Sequence, residues 1–238
     1  MRTLGIDGCK GGWIAVEIDD DGNGAVGVFD TVYRALINHP ACDIMLIDMP
    51  IGLPDSMHPV RECDTIARKL LGKGMTSRVF DPPARRALDT SFYEDACNVS
   101  EAIIGKKISL QSFNIGPKIK ELDAMLRRHR DYVGRIREAH PELAFACMNH
   151  RQALRVSKKQ KAGIQGRLKV LQRHYPHAHE LYNYALEATL RKDAARDDIL
   201  DAMALAIMAR SAPKLRSIPA DPPYDAVGLP MEIVVGVY

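Results

Sequence analysis

Apolar and polar positions in the first thirty residues follow a pattern typical of three consecutive β-strands. Residues 3–7 and 13–19 are rich in branched aliphatic side chains, and glycines at positions 8, 11 and 12 separate the two stretches. A turn at 20–24 with two glycines precedes a third apolar stretch, residues 25–29. The pattern therefore predicts an antiparallel meander of three strands.

A strand of a different kind is predicted at 43–48, after a short helix at 31–38. Four consecutive apolar residues lie here between Asp43 and Asp48, a pattern typical of a strand that is buried on both faces in a parallel part of a sheet. A further short strand is predicted at 132–138. Residues 233–237 are apolar enough for a final edge strand.

Between about 55 and 131 the pattern changes to helices and polar loops, with helices predicted at 59–71, 92–104 and 117–130. No linker rich in glycine and serine bounds this segment. We therefore expect one domain, 1–238, that carries a helical insertion. The rest of the chain predicts a helix from Pro141 to Met148, helices at 157–175 and 178–192, and an alanine-rich helix from 197 to about 211.

Composition is ordinary for a globular protein, with 46% hydrophobic and 26% charged residues among 238. The five cysteines are far apart without a CxxC pair, so we expect neither a disulfide framework nor a zinc knuckle, and a cytoplasmic location is favoured. Residues 1–3 lead directly into the first strand, and no apolar run reaches about 20 residues. We therefore expect neither a signal peptide nor an association with membranes.

Net charge is only +3, but its distribution is uneven. From Leu143 to His179 the chain has no acidic residue. The same span contains Arg151, Arg155, Lys158, Lys159, Lys161, Arg167, Lys169 and Arg173. Such a segment could neutralise phosphates of a nucleic acid without reading its sequence, although a solvated basic helix face is an alternative.

Four acidic residues lie beside apolar sequence where elements end or begin. Asp7 is on the first strand, Asp48 ends the fourth, and Asp198 and Asp201 are three residues apart on the last helix. If the two strands are neighbours and the helix packs across them, these carboxylates converge. Converging carboxylates repel one another unless a cation lies between them, and oxygen ligands favour Mg²⁺ or Mn²⁺. Such ions activate water for hydrolysis of a phosphodiester.

Each acidic residue also has a purely structural interpretation. Asp7 could cap the glycine-rich turn, and Asp48 could belong to the turn that Pro50 ends. Asp198 lies in a first helical turn, where the helix dipole favours an acid. Asp201 is deeper in the helix, so it is harder to explain in this way.

Five motifs together resemble a widespread prokaryotic family, the domains of unknown function numbered 429, which are regarded as predicted nucleases with a ribonuclease-H-like fold. The motifs are Gly5-Ile6-Asp7-Gly8-Cys9-Lys10-Gly11-Gly12-Trp13, Ile47-Asp48-Met49-Pro50-Ile51-Gly52-Leu53-Pro54, Gln111-Ser112-Phe113-Asn114-Ile115, Arg137-Glu138-Ala139-His140-Pro141-Glu142 and Asp197-Asp198-Ile199-Leu200-Asp201-Ala202. The resemblance implies an α/β fold: a mixed sheet of three antiparallel and two parallel strands, flanked by helices, with a helical insertion after strand four.

The resemblance also implies a site. Metal ligands in ribonuclease-H-like nucleases come from strand one, strand four and the last helix, which here correspond to Asp7, Asp48, Asp198 and Asp201. Glu142 follows the fifth strand and is a candidate further ligand or general base, or simply a first-turn acid of its helix. Contacts with substrate phosphates are expected from basic residues of the glycine-rich turn, the insertion and the basic segment: Lys10, Lys118, Lys161 and Arg167.

Three hypotheses about function follow. The first is metal-dependent phosphodiester hydrolysis of DNA or RNA. The second is nucleotide phosphoryl transfer, since Asp7-Gly8-Cys9-Lys10-Gly11-Gly12 resembles the first phosphate loop of actin-like kinases, although only one copy of that core is present. The third is a domain of the same fold that binds nucleic acid or protein without catalysis. Resolvases of this fold act as dimers, so a homodimer is a further expectation.

Overall fold

A computed structural model describes residues 1–237, which divide into two compact units. The first comprises Met1–Asp48, Gly134–Arg216 and residues 234–237, and the second comprises Met49–Val133 and Ser217–Ile233. The strands are β1 (Thr3–Cys9), β2 (Gly12–Ile18), β3 (Gly24–Phe29), β4 (Ile44–Asp48), β5 (Ile136–Glu138), β6 (Leu215–Ile218) and β7 (Ile233–Gly236). The helices are α1 (Val32–Ile37), α2 (Glu62–Leu71), α3 (Tyr93–Ile104), α4 (Leu110–Arg128), α5 (Pro141–Met148), α6 (Lys161–His174), α7 (Ala178–Ala188) and α8 (Arg196–Ala209).

The first unit is built on a five-stranded mixed sheet in the order β3-β2-β1-β4-β5. β1, β2 and β3 are antiparallel neighbours, whereas β4 runs parallel to both β1 and β5. The predicted meander and the predicted buried parallel strand are therefore confirmed. This α/β arrangement, flanked by helices, is consistent with a ribonuclease-H-like fold. The expected last strand forms as β7, which pairs with β6 in a separate two-stranded sheet.

Helix α8 lies directly on β1 because both elements present small groups at the contact. A Cβ added to Gly5 would lie only 2.0 Å from the carbonyl oxygen of Ala202 and 2.4 Å from the amide nitrogen of Ala206. The hydroxyl of Thr3 donates a hydrogen bond of 3.0 Å to the carbonyl of Ala206. Every residue of α8 from Ile199 to Ala209 is buried. The helix is therefore the centre of the core and is held at a fixed depth against the sheet.

The second unit contains α2, α3 and α4 together with the segment 217–233. Arg85 joins these parts of the unit. Its guanidinium donates to the Asp123 carboxylate at 2.9 Å and also pairs with the buried carboxylate of Asp225. The whole predicted insertion, about 55–131, lies in this unit. The sequence pattern did not connect it with 217–233, and the expectation of one domain stays a prediction.

Several helix boundaries differ from those predicted. The helix expected at 117–130 begins at Leu110, because Ser109 caps it by accepting a hydrogen bond of 3.1 Å from the amide of Ser112. Pro117 therefore lies inside α4 and does not begin it. The helix expected at 157–175 begins at Lys161, so residues 157–160 precede α6. Helix α7 ends at Ala188, and β5 has only three residues.

Among the described residues, no helix combines the length and the apolar character that crossing a membrane would require.

Candidate metal centre

Two aspartates of the first unit are brought together by the pairing of parallel strands. Asp7 on β1 is the register partner of Asp48, the last residue of β4. The tight contact between β1 and α8 brings Asp201 to the same place. One carboxylate oxygen from each of Asp7, Asp48 and Asp201 lies within 4.8 Å of the others. We call these three residues the aspartate cluster.

The aspartate cluster is removed from solvent to a degree that is unusual for acids. Asp7 is 8% exposed and Asp201 is 1% exposed, while Asp48 is half-buried. Buried carboxylates of like charge are costly unless protons, cations or several donors compensate them. The fold must therefore supply such groups or bind them from solution.

Lys158, in the segment just before α6, supplies a positive charge. Its ammonium contacts Oδ2 of Asp201 in a hydrogen-bonded ion pair. Oδ1 of Asp201 is buried and has no hydrogen-bond partner among the described residues. One oxygen of the aspartate cluster is therefore left to accept a further ligand.

The pKa values in the cluster are shifted in the direction that burial predicts. Burial, followed by the carboxylates of Asp48, Asp201 and Asp198, raises the pKa of Asp7 well above its usual range. Burial raises the pKa of Asp201 to about 7, although Lys158 opposes this shift. Burial likewise raises the pKa of Asp48, while His140 and Lys158 lower it. The metal-free site is therefore expected to hold protons that a cation would displace.

Asp198 lies one turn before Asp201, at the N-terminus of α8. Its Oδ2 accepts a hydrogen bond of 2.9 Å from the amide of Ala195, so it caps the helix. Its charge nevertheless raises the pKa of Asp7. Asp198 is therefore near the aspartate cluster, but its carboxylate caps the first turn of α8.

Glu142 forms a buried ion pair with Arg167. The guanidinium nitrogen Nη2 donates to both carboxylate oxygens, at 2.8 and 3.0 Å, and Arg167 is 0% exposed. Its guanidinium also lies over the ring of Phe145, at 5.3 Å from the centroid. Glu142 is close enough to raise the pKa values of Asp48 and Asp201, but its carboxylate is not part of the cluster defined above.

The predicted phosphate contacts are distributed over several places. The prediction that Arg167 contacts a substrate phosphate is wrong, because its guanidinium is fully buried and paired with Glu142. Lys10 is exposed after β1. Lys118 is half-buried on α4, in the second unit. Lys161 begins α6 and lines a cleft of the first unit.

This cleft has a volume of about 860 Å³ and reaches Asp197 and Asp198 at the start of α8. Five basic side chains line it: Lys158, Lys159, Lys161, Arg191 and Arg196. We call it the basic cleft. Lys158 belongs to both the basic cleft and the ion pair with Asp201, so this residue connects the cleft with the aspartate cluster.

Two residues of the site were not predicted from the sequence. Lys158 was recognised only as one of eight basic residues in its segment, and nothing local distinguishes it from Lys159. His140 caps α5 by accepting from the amide of Glu142 at 3.2 Å, and it also lowers the pKa of Asp48. The His-Pro-Glu sequence signals the cap, but the approach to Asp48 depends on how β5 and α5 fold.

A family model described as "Protein of unknown function (DUF429)" matches residues 5–224. The chain therefore belongs to this family, in agreement with the resemblance that its acidic and glycine-rich motifs carry. A search of curated proteins found no match, and a search of solved structures found none.

Proposed function

We propose that this protein is a divalent-metal-dependent phosphodiesterase that acts on DNA or RNA. The observation that supports this proposal most strongly is the convergence of the Asp7, Asp48 and Asp201 carboxylates, with Oδ1 of Asp201 buried and without a partner among the described residues. A set of donors made only of carboxylate oxygens fits a hard cation such as Mg²⁺ or Mn²⁺.

The aspartate cluster would hold the metal. When bound, such an ion polarises a phosphoryl oxygen and lowers the pKa of a water molecule. Asp7 and Asp48 are positioned by strand register and Asp201 by the rigid contact of α8, so the ligands need little rearrangement. Asp198 is a candidate additional ligand if its carboxylate releases the hydrogen bond from the amide of Ala195.

The basic cleft supports a polyanionic substrate. Its cations begin beside the aspartate cluster and continue along α6 and the segment before α8. Phosphates of a nucleic-acid strand placed there would be neutralised one after another, which gives binding that weakens as salt concentration rises. Lys158 would exchange its contact with Asp201 for a substrate phosphate once a metal neutralises the carboxylates.

The experiment is a cleavage assay of the purified full chain on branched, duplex and single-stranded DNA and RNA, with Mn²⁺, with Mg²⁺ and with a chelator. We expect metal-dependent cleavage of at least one substrate. Asp7→Asn should lower its rate by about 100-fold or more, because a neutral amide is a poor ligand for these ions. Asp21→Asn, at an exposed position between β2 and β3, is the matched control and should leave the rate unchanged.

Nucleic-acid binding without cleavage of any substrate would contradict the proposal. It would favour the interpretation as a binding domain that retains the fold. ATP turnover under the same conditions would instead favour phosphoryl transfer.

A further inference from the structure

A second group of side chains able to bind a metal lies on β2 and in the turn that follows α1. Glu17, His39 and Cys42 each place one ligand atom within 4.8 Å of the others. None of these residues belongs to the aspartate cluster or to the basic cleft. Their donor atoms are an oxygen, a nitrogen and a sulfur.

His39 and Cys42 are presented by one tight turn. The amide of Cys42 donates to the carbonyl of His39 at 3.2 Å, and Pro40 occupies the second position of the turn. The resulting His-x-x-Cys spacing directs two metal-ligating side chains from a short, rigid piece of backbone, as the Cys-x-x-Cys turns of zinc sites do. The sequence has no Cys-x-x-Cys pair, and this mixed turn was not predicted from it.

The third side chain, Glu17, comes from β2. Oε2 of Glu17 lies 2.5 Å from Nδ1 of His39. The other oxygen, Oε1, is 3.6 Å from the guanidinium of Arg2, which keeps the carboxylate directed toward this place. The ring of His39 also packs edge-on against Phe29, with centroids 5.7 Å apart. Both the carboxylate and the imidazole are therefore positioned by neighbours outside the group.

We propose that Glu17, His39 and Cys42 form a zinc site. Imidazole, thiolate and carboxylate are the ligands that Zn²⁺ takes in proteins, and three protein ligands leave a fourth position for water or another ligand. Bond lengths of about 2.0–2.3 Å in a tetrahedral site require donor atoms roughly 3.3–3.6 Å apart. The distance between Oε2 of Glu17 and Nδ1 of His39 is 2.5 Å. It would have to increase by about 1 Å to reach this geometry.

The residues around the group fit this proposal. Cys42 is 2% exposed, so a bound thiolate would be shielded. The side chains of His39 and Glu17 are 10% and 15% exposed, which gives an ion a route from solvent. Thiolate ligation also distinguishes this site from the aspartate cluster, which offers only oxygen and favours harder ions.

The test uses Co²⁺ as a spectroscopic substitute for Zn²⁺ on the purified, chelator-treated full chain. We expect one equivalent of Co²⁺ to produce the near-ultraviolet thiolate-to-cobalt band and the visible bands of a tetrahedral site, and Zn²⁺ to abolish both by displacing the Co²⁺. Cys42→Ser should remove the near-ultraviolet band. His39→Asn should weaken Co²⁺ binding by about 100-fold or more, since even residues that only orient a ligand contribute about 10–100-fold.

Two controls separate this site from the rest of the protein. Cys147→Ser changes a half-buried cysteine of α5 and should leave the thiolate band intact. Asp7→Asn should also retain it, so failure of the proposed phosphodiesterase site and failure of the zinc site are distinguishable.

The absence of a thiolate band in the wild-type titration, or its persistence in Cys42→Ser, would overturn the proposal and leave the three residues as a hydrogen-bonded group. The wild-type titration tests the site without any variant. Should Cys42→Ser not fold, Glu17→Gln provides a second variant in which Co²⁺ affinity should fall.

Discussion

The ammonium of Lys158 contacts one carboxylate oxygen of Asp201 while the second oxygen, Oδ1, lies buried without a hydrogen-bond partner among residues 1–237. The same lysine also lines the basic cleft. The positive charge at this position would compete with a divalent ion for the same carboxylates. In the proposed function, the pair would therefore couple the occupancy of the metal site to the binding of a substrate phosphate.

Replacing Lys158 by methionine should strengthen metal binding. Removal of a unit charge a few ångströms from the cluster is expected to lower the Kd for Mn²⁺ by about tenfold. Isothermal titration calorimetry without nucleic acid measures this directly. Lys159→Met, on the same cleft, should leave the Kd nearly unchanged. Unchanged or weaker binding in Lys158→Met would show that the lysine does not compete with the ion.

Metal affinity should depend on pH because protons must leave the cluster before an ion enters. The pKa of Asp201 is raised to about 7, and that of Asp7 is also raised. Below this value the proton on Asp201 competes with the ion, so the Kd for Mn²⁺ should fall by about tenfold per pH unit as pH rises, and the part of the dependence due to Asp201 should level off above about pH 7. In Asp201→Asn the dependence should be shallower. A constant Kd between about pH 5.5 and 8 would contradict this expectation.

Glu142→Gln tests whether this residue is a metal ligand or a structural partner. Arg167 is fully buried, and loss of its anionic partner should lower the free energy of unfolding by about 3 kcal/mol. Chemical denaturation measures this change. Glu180→Gln, at an exposed partner of His177, should alter it by less than about 0.5 kcal/mol. The Kd for Mn²⁺ should stay close to the wild-type value; a loss as large as that of Asp7→Asn would make Glu142 a ligand.

The contact of α8 with β1 should tolerate no added methyl group. Gly5→Ala would place a Cβ against the helix backbone and should lower the free energy of unfolding by about 3 kcal/mol or more. Mn²⁺ binding should weaken as well, because Asp201 would move away from Asp7. Gly166→Ala, in the interior of α6 with no atom within 4 Å of the added Cβ, should instead stabilise by about 0.5 kcal/mol. Equal effects of the two variants on chemical denaturation would refute this description of the packing.

Local sequence signals were sufficient for most of the first unit. Alternating strands with glycine turns predicted β1, β2 and β3, and the apolar run before Asp48 predicted a buried parallel strand, because both patterns depend on neighbouring residues. Boundaries were less accurate where local signals conflict. Pro117 resembles a helix start, yet the Ser109 cap and the packing of α4 outweigh the one hydrogen bond that proline removes.

The sequence by itself was sufficient to predict the family. It also predicted that Asp7 lies on the first strand, Asp48 at the end of the fourth and Asp201 on the last helix, because each of these elements has a recognisable local pattern. Only the tertiary structure decided which charges pair. Lys158 rather than Lys159 forms the ion pair with Asp201. Arg167 is buried in an ion pair with Glu142. The side chains of His39 and Cys42 lie beside Glu17. The first of these pairs joins residues 43 positions apart in the chain. These contacts depend on how closely the strands and helices pack against one another. No pattern of neighbouring residues in the sequence specifies that packing.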